Sequence, residues 1–75
     1  MANKYIEVVK RWQAGEILSV EEIRANAVDA DAYASWASNA AANAAANAAW
    51  LADHEADSES VDYWIKKYEE LTNDK

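Results

Sequence analysis

Several residue types that commonly stabilise or equip small domains are missing from this 75-residue chain. It has no cysteine, no proline, no phenylalanine, one glycine and one histidine. The lack of cysteine excludes disulfide bonds and thiolate metal sites, and one histidine cannot build a transition-metal site alone. A glycine-rich phosphate loop and a basic clamp are absent, and so small a chain has little room for a pocket. We therefore expect a protein that is not an enzyme and that uses no cofactor.

Basic residues are also scarce. Seven Lys and Arg stand against fourteen Asp and Glu, and residues 25–60 hold six acids but no Lys or Arg. Such a chain has no electrostatic footprint for direct binding to nucleic acid or to an anionic membrane, and its charge favours a basic partner. The N-terminus lacks the apolar core of a signal peptide, and polar residues interrupt the longest apolar run. These features predict a soluble protein of the cytoplasm.

Alanine dominates the middle of the chain. Thirteen of the 23 residues from Ala30 to Ala52 are alanine, and no Gly or Pro occurs between Val20 and Asp57. Alanine is the best helix former because ordering it costs no side-chain entropy. The pattern predicts one long helix over residues 20–56, which would be about 55 Å long. A kink near Asn26 or after Ala52 is the alternative.

Shorter amphipathic helices are predicted on either side, over residues 3–14 and 60–71, where large apolar residues recur at helical spacing. Gly15 is expected to end the first helix in a left-handed conformation. The predicted fold class is all-α: a single helical domain over residues 1–75 with a short helix, a long Ala-rich central helix and a short C-terminal helix.

The turn after the first helix carries its own signals. Ser19 and Glu22 form a capping box, which predicts that the long helix starts at Val20. Ile17 and Leu18, which precede that start, are expected to fold back onto the core.

An apolar heptad seam runs along the predicted long helix. Its members include Ala30, Ala34, Ala37, Ala41, Ala44, Ala48 and Leu51. Small side chains allow a partner helix to approach at or below the short end of the usual spacing of about 8–10 Å. A chain this short without disulfides commonly needs oligomerisation. We therefore expect self-association through the seam, with a dimer favoured.

A stripe of aromatic and amide residues flanks the seam. The candidate partner-binding residues in it are Trp36, Asn39, Asn43, Asn47 and Trp50, with His54 at its end. At about 100° per residue they share a sector of about 80°, and Trp is an enriched interface anchor. In the alternative interpretation, the tryptophans pack against the short helices or a second subunit while the asparagines face water.

An acidic segment follows the stripe. Its acids are Asp53, Glu55, Asp57 and Glu59, which we expect to attract a basic partner. Asp57, Ser58 or Ser60 are also candidates to cap the last helix. His54 matches neither the two-histidine zinc motif nor a calcium loop, so no metal site is predicted.

Residues 8–27, V-V-K-R-W-Q-A-G-E-I-L-S-V-E-E-I-R-A-N-A, together with the alanine run resemble a group of small alanine-rich helical bacteriophage proteins of the immunity-protein type. The resemblance spans roughly residues 8–56, and it rests on Trp12 and Gly15, on the E-E-x-R helix start and on the spaced alanine blocks. This chain departs from the group in its single short alanine block and its Trp- and Tyr-bearing last helix. The resemblance implies a phage or mobile-element origin and a role in neutralising a host toxin or defence protein, and it carries over no site residue.

These observations lead to three functional hypotheses. The first is a non-enzymatic factor that binds and occludes a host protein, as an anti-defence or immunity-type inhibitor. The second is a structural or assembly role as a helical homo-oligomer. The third is an acidic mimic of nucleic acid, although the acids cluster at the ends of an uncharged stretch.

Overall fold

Four helices form the regular secondary structure of residues 3–72, the part of the chain that the computed structural model describes. They are α1 (Lys4–Gln13), α2 (Val20–Ala37), α3 (Ala40–His54) and α4 (Ser58–Thr72). The expectation of an all-α fold is confirmed. In this range, no helix is both long enough and apolar enough to cross a membrane.

The single helix expected over residues 20–56 does not form, because the chain breaks at Ser38 and Asn39. Ser38 adopts a left-handed conformation, with φ of 52° and ψ of 42°, and its N–H donates to the carbonyl oxygen of Ala34. The side-chain oxygen of Asn39 accepts a hydrogen bond from the amide of Ala42 at 2.8 Å. Asn39 is therefore the N-cap of α3, a position that asparagine favours, rather than one member of a continuous stripe.

The break allows α2 and α3 to pack against each other as an antiparallel hairpin. Of the fifteen buried apolar residues in the described range, ten are alanine. A continuous helix would leave its alanine face in water, whereas the hairpin removes that face from water at a gain of about 25 cal/mol per Å². Helix α3 also packs against α1 and α4, so it is the central helix of the fold.

The residues of the alanine seam are covered by contacts within a single chain. Ala30, Ala34, Ala44 and Ala48 are buried, and Ala37, Ala41 and Leu51 are half-buried. A dimer through the four buried alanines would therefore require the hairpin to open. Self-association through the seam stays a prediction.

The outer helices supply the large core side chains. Ile6 and Val9 of α1 are buried, as are Val61, Ile65 and Tyr68 of α4. Branched and aromatic side chains from the outer helices thus pack around a core of alanine methyl groups. Polar links also position α1: the amide group of Asn26 donates to the carbonyl oxygen of Tyr5 at 3.2 Å, and Lys10 Nζ lies 3.1 Å from Glu69 Oε2.

The turn between α1 and α2 is closed by backbone and side-chain bonds together. Gly15 has φ of 89°, as expected, and the N–H of Glu16 donates to the carbonyl oxygen of Arg11 at 3.1 Å. This is a Schellman ending, in which an apolar contact commonly joins the same two positions. Here a bidentate ion pair joins them: the guanidinium nitrogens of Arg11 donate to the two carboxylate oxygens of Glu16 at 2.8 and 2.7 Å.

The start of α2 agrees with the capping prediction. The loop before it differs from the prediction that its apolar residues pack on the core. Helix α2 begins at Val20, and Ser19 Oγ accepts from the amide of Glu22 at 3.1 Å. The expectation that Ile17 packs on the core is wrong, since its side chain is 98% exposed. Ile17 follows Glu16, whose ion pair with Arg11 lies at the surface, and of the two apolar loop residues only Leu18 is half-buried.

Ala56 offers a test of how α3 ends. Its φ of 53° lies in the left-handed region, which costs a residue with a Cβ atom about 1–2 kcal/mol. We predict that Ala56→Gly raises the free energy of unfolding by about 1 kcal/mol, or about 4–8 °C in Tm, measured by circular dichroism. Ala32→Gly, at an exposed position inside α2, should lower it by about 1 kcal/mol. Equal effects of the two changes would contradict the left-handed ending.

The Arg11–Glu16 pair makes a prediction about pH. The hydrogen bond from Arg11 holds the pKa of Glu16 below its ordinary value. Because the folded pKa is lowered, the pair stabilises the fold at neutral pH, and this contribution is lost as the pH falls through the lowered pKa. Both side chains are solvent-exposed, so the effect on stability is small and salt-sensitive. An NMR titration should show the Glu16 pKa rising in Arg11→Gln; an unchanged Glu16 pKa would contradict the pair.

Candidate protein-binding surface

Three aromatic side chains line up on the outside of α1 and α2. The rings of Tyr5 and Tyr33 are 5.6 Å apart, and those of Tyr33 and Trp36 are 6.5 Å apart. Tyr33 and Trp36 are three residues apart on α2 and so share a face, whereas Tyr5 is brought to them by α1. We refer to Tyr5, Tyr33 and Trp36 as the aromatic row. Trp36 is 83% exposed, the highest value among the chain's aromatic residues in the described range.

A shallow groove between α1 and α2 continues from the aromatic row. It is lined by Lys4, Tyr5 and Val8 of α1 and by Glu22, Ala25, Asn26 and Asp29 of α2. The hydrogen bond from Asn26 to the backbone of Tyr5 fixes the floor of the groove. Since Tyr5 belongs to both features, the groove and the aromatic row form one surface.

This surface is elongated and carries charges of both signs. Along α2 it extends from Glu22 to Trp36, which at 1.5 Å per residue is about 21 Å. Two of its side chains, Glu22 and Asp29, are acidic, and Lys4 is basic. The ammonium group of Lys4 lies 5.2 Å from the centre of the Tyr5 ring, so part of its charge is directed at the protein's own aromatic face.

The predicted stripe continues only on the outer face of α3. Asn43, Asn47 and Trp50 are exposed there, and the Trp50 ring stacks on His54 at 3.6 Å. His54 Nδ1 lies 3.1 Å from the carbonyl oxygen of Trp50. A carbonyl only accepts, so this contact places a hydrogen on Nδ1. Trp50 thus has His54 of α3 as its ring partner, and Trp36 has Tyr33 of α2.

The acidic segment divides into structural and exposed members. The side chain of Asp53 is only 4% exposed, and its Oδ2 atom lies 3.8 Å from Arg24 Nε and 3.3 Å from His54 Nδ1. Asp57 caps α4 by accepting from the amide of Glu59 at 3.1 Å and the hydroxyl of Ser60 at 3.0 Å. The remaining carboxylates, those of Glu55 and Glu59, face solvent.

The sequence-based candidates are therefore spread over several places. Trp36 belongs to the aromatic row, Asn39 caps α3, and Asn43, Asn47 and Trp50 lie on the outer face of α3. Tyr5 and Tyr33 were not among the candidates. The i, i+4, i+7 spacing of Asp29, Tyr33 and Trp36 would have indicated a shared face on α2, but the contribution of α1 needed the tertiary structure.

Comparison of the chain with models of protein families, with curated proteins and with solved structures finds no match in any of the three. In residues 3–72, no group of three or more His, Asp or Glu side chains converges as a metal site would. The surface itself is thus the basis for a functional argument.

The acidic segment yields a matched pair of substitutions. Asp53→Asn removes a buried carboxylate that pairs with Arg24, so the free energy of unfolding should fall by about 1–2 kcal/mol. Glu55→Gln changes an exposed carboxylate and should alter it by less than about 0.5 kcal/mol. Urea unfolding followed by circular dichroism measures both. An unchanged Asp53→Asn variant would mean that the buried pair has no structural role.

Proposed function

We propose that this protein is a non-enzymatic binding factor that docks on another protein through the aromatic row and the adjoining groove, and thereby occludes part of it. The target is a host protein in the cytoplasm of a bacterium, and the factor belongs to a phage or mobile element. The resemblance over residues 8–56 is the basis for that biological setting. The binding role rests on the surface.

The observation that carries the proposal is the exposure of Trp36. A tryptophan that is 83% exposed leaves a large apolar ring in water, although fifteen other apolar residues between positions 3 and 72 are buried. Tryptophan and tyrosine dominate the energetics of protein interfaces when a partner covers them. Trp36 also has two tyrosines in line with it, so the feature is a surface rather than one isolated side chain.

The charge of the molecule specifies the partner further. The chain carries a formal net charge of −7, and Glu22 and Asp29 line the groove. A basic partner would be attracted over long range and would find carboxylates beside the aromatic anchors. Arginine fits this combination best, since its guanidinium stacks on aromatic rings and pairs with carboxylates. Glu55 and Glu59, whose carboxylates face solvent, add long-range attraction.

Two alternatives remain predictions. In a homo-oligomer, the exposed aromatic side chains would be covered by a second copy. In a mimic of nucleic acid, the carboxylates would follow a regular path, whereas Asp53 and Asp57 have roles within the fold. The arrangement of aromatic residues therefore favours an ordinary protein interface over mimicry.

The proposal predicts that Trp36 is an energetic hot spot. Immobilised protein is used to capture its partner from a bacterial lysate, and the dissociation constant of the purified partner is then measured by calorimetry. Trp36→Ala should weaken binding by about 30-fold or more, because a central aromatic anchor contributes about 2 kcal/mol or more.

Two other aromatic substitutions complete the experiment. Tyr63→Ala, at an exposed position of α4, is the matched control and should change the dissociation constant less than about threefold. Trp50→Ala reports on the outer face of α3. If Trp36→Ala binds as the wild type does while Trp50→Ala does not, the binding surface is α3 and the aromatic row is excluded.

A further inference from the structure

The connection between α2 and α3 is two residues long and conformationally unusual. Ser38 has a positive φ of 52°, and Asn39 is extended, with φ of −131° and ψ of 161°. Serine has a Cβ atom that crowds the backbone in the left-handed region, so the closed connection is strained. The Ser38 hydroxyl, which donates to the carbonyl oxygen of Ser35 at 3.3 Å, and the Asn39 cap hold it in place.

The residues around this connection favour an unbroken helix. Ala37 precedes it, and three alanines, Ala40–Ala42, follow it. With neither Gly nor Pro to prevent continuation, α2 and α3 can merge into one helix over residues 20–54, about 50 Å long. The helical preference of the sequence and the observed break therefore oppose each other at Ser38 and Asn39.

We infer that Ser38–Asn39 is a hinge at which the α2–α3 hairpin opens, and that the partner of the opened form is a second copy of this chain. In the resulting dimer, α3 and α4 of each copy pack on α1 and α2 of the other. This exchange goes beyond the proposed binding role and does not depend on it.

The packing of the fold suits this exchange. The contacts that cross the hinge are those of α3 with α2 and α1, together with a smaller contact between α1 and α4. All of them can form again between two copies in a symmetric arrangement, as in other domain-swapped dimers. An opened single chain would lose the contacts of α3 with α2 and α1 and expose the alanines that those contacts cover, so opening requires the second copy. The hinge conformation and the protein concentration then decide which form is populated.

Two adjacent substitutions should shift the equilibrium in opposite directions. Ser38→Gly relieves the left-handed strain of the hairpin and disfavours the continuous helix. It should raise the dissociation constant of the dimer about tenfold for each hinge, or about 100-fold for two. Asn39→Ala removes the cap and favours the continuous helix, so it should lower the constant about 30-fold. Asn43→Ala is the matched control, because Asn43 is helical in both forms, and it should change the constant less than threefold.

Size-exclusion chromatography with light scattering measures these constants on the full chain, over a roughly 100-fold range of dilution from about 1 mM. The route of association is measured separately by energy transfer within one chain. Dyes are attached at Glu21→Cys and Glu55→Cys, and the labelled chain is mixed with excess unlabelled protein. These sites are close in the hairpin, where Arg24 meets Asp53 at 3.8 Å, and about 50 Å apart in the opened helix.

We expect a dimer with low energy transfer between the two dyes of one chain. Its dissociation constant should rise in Ser38→Gly and fall in Asn39→Ala. The inference is overturned if every variant, Asn39→Ala included, stays monomeric over the whole range. It is equally overturned by a dimer whose intrachain transfer stays as high as in the monomer, since that dimer forms without opening. Neither failure affects the aromatic row, which is tested by partner binding.

Discussion

The packing of α2 against α3 through alanine is the interaction on which the rest of this structure depends. Each alanine contributes little apolar area, so a core made of alanine stabilises the fold only when many methyl groups are buried together at close approach. Seven buried alanines on α3 achieve this, because the helix is covered by α2, by α4 and by α1. The hairpin break at Ser38 and Asn39 is a consequence, since a straight helix would bury none of its alanines against itself.

The same constraint explains why the surface carries so many large residues. A core of small side chains between closely spaced helices has little room for tryptophan, and the half-buried Trp12 and Trp64 pack at its margin. Trp36 and Tyr33 lie outside it altogether, in line with Tyr5. The alanine core therefore leaves Trp36 and Tyr33 outside the interior, where we propose that they serve an interface.

Local signals predicted the local structure well. The left-handed Gly15, the capping role of Ser19 and the start of α2 at Val20 follow from one or two side chains, and each was correct. The break in the long helix was not predicted, because alanine favours a helix on both sides of it. A turn at this point is stabilised only by the tertiary burial of alanine that it allows. The Ser38–Asn39 pair could have indicated the break, because asparagine is a favoured N-cap residue.

The surface was less predictable than the fold. Treating residues 20–56 as one helix put Trp36 and Trp50 on a single stripe, whereas the chain reverses between them. Asp53 also meets Arg24, which is distant in sequence and becomes a neighbour only when the hairpin closes. The location of Tyr5 in the aromatic row likewise needed the packing of α1. Long-range contacts of this kind leave no periodic trace in the sequence.

The central claim is that α2 and α3 pack alanine on alanine within one chain. The most direct measurement is an NMR spectrum of dilute protein with labelled alanine methyl groups, in which nuclear Overhauser effects report pairs of methyls in close contact. We expect contacts between the methyl groups of Ala27, Ala30 or Ala34 and those of α3, together with non-helical carbon shifts at Ser38 and Asn39. Helical shifts through both residues, with no contacts between α2 and α3 alanines, would contradict it.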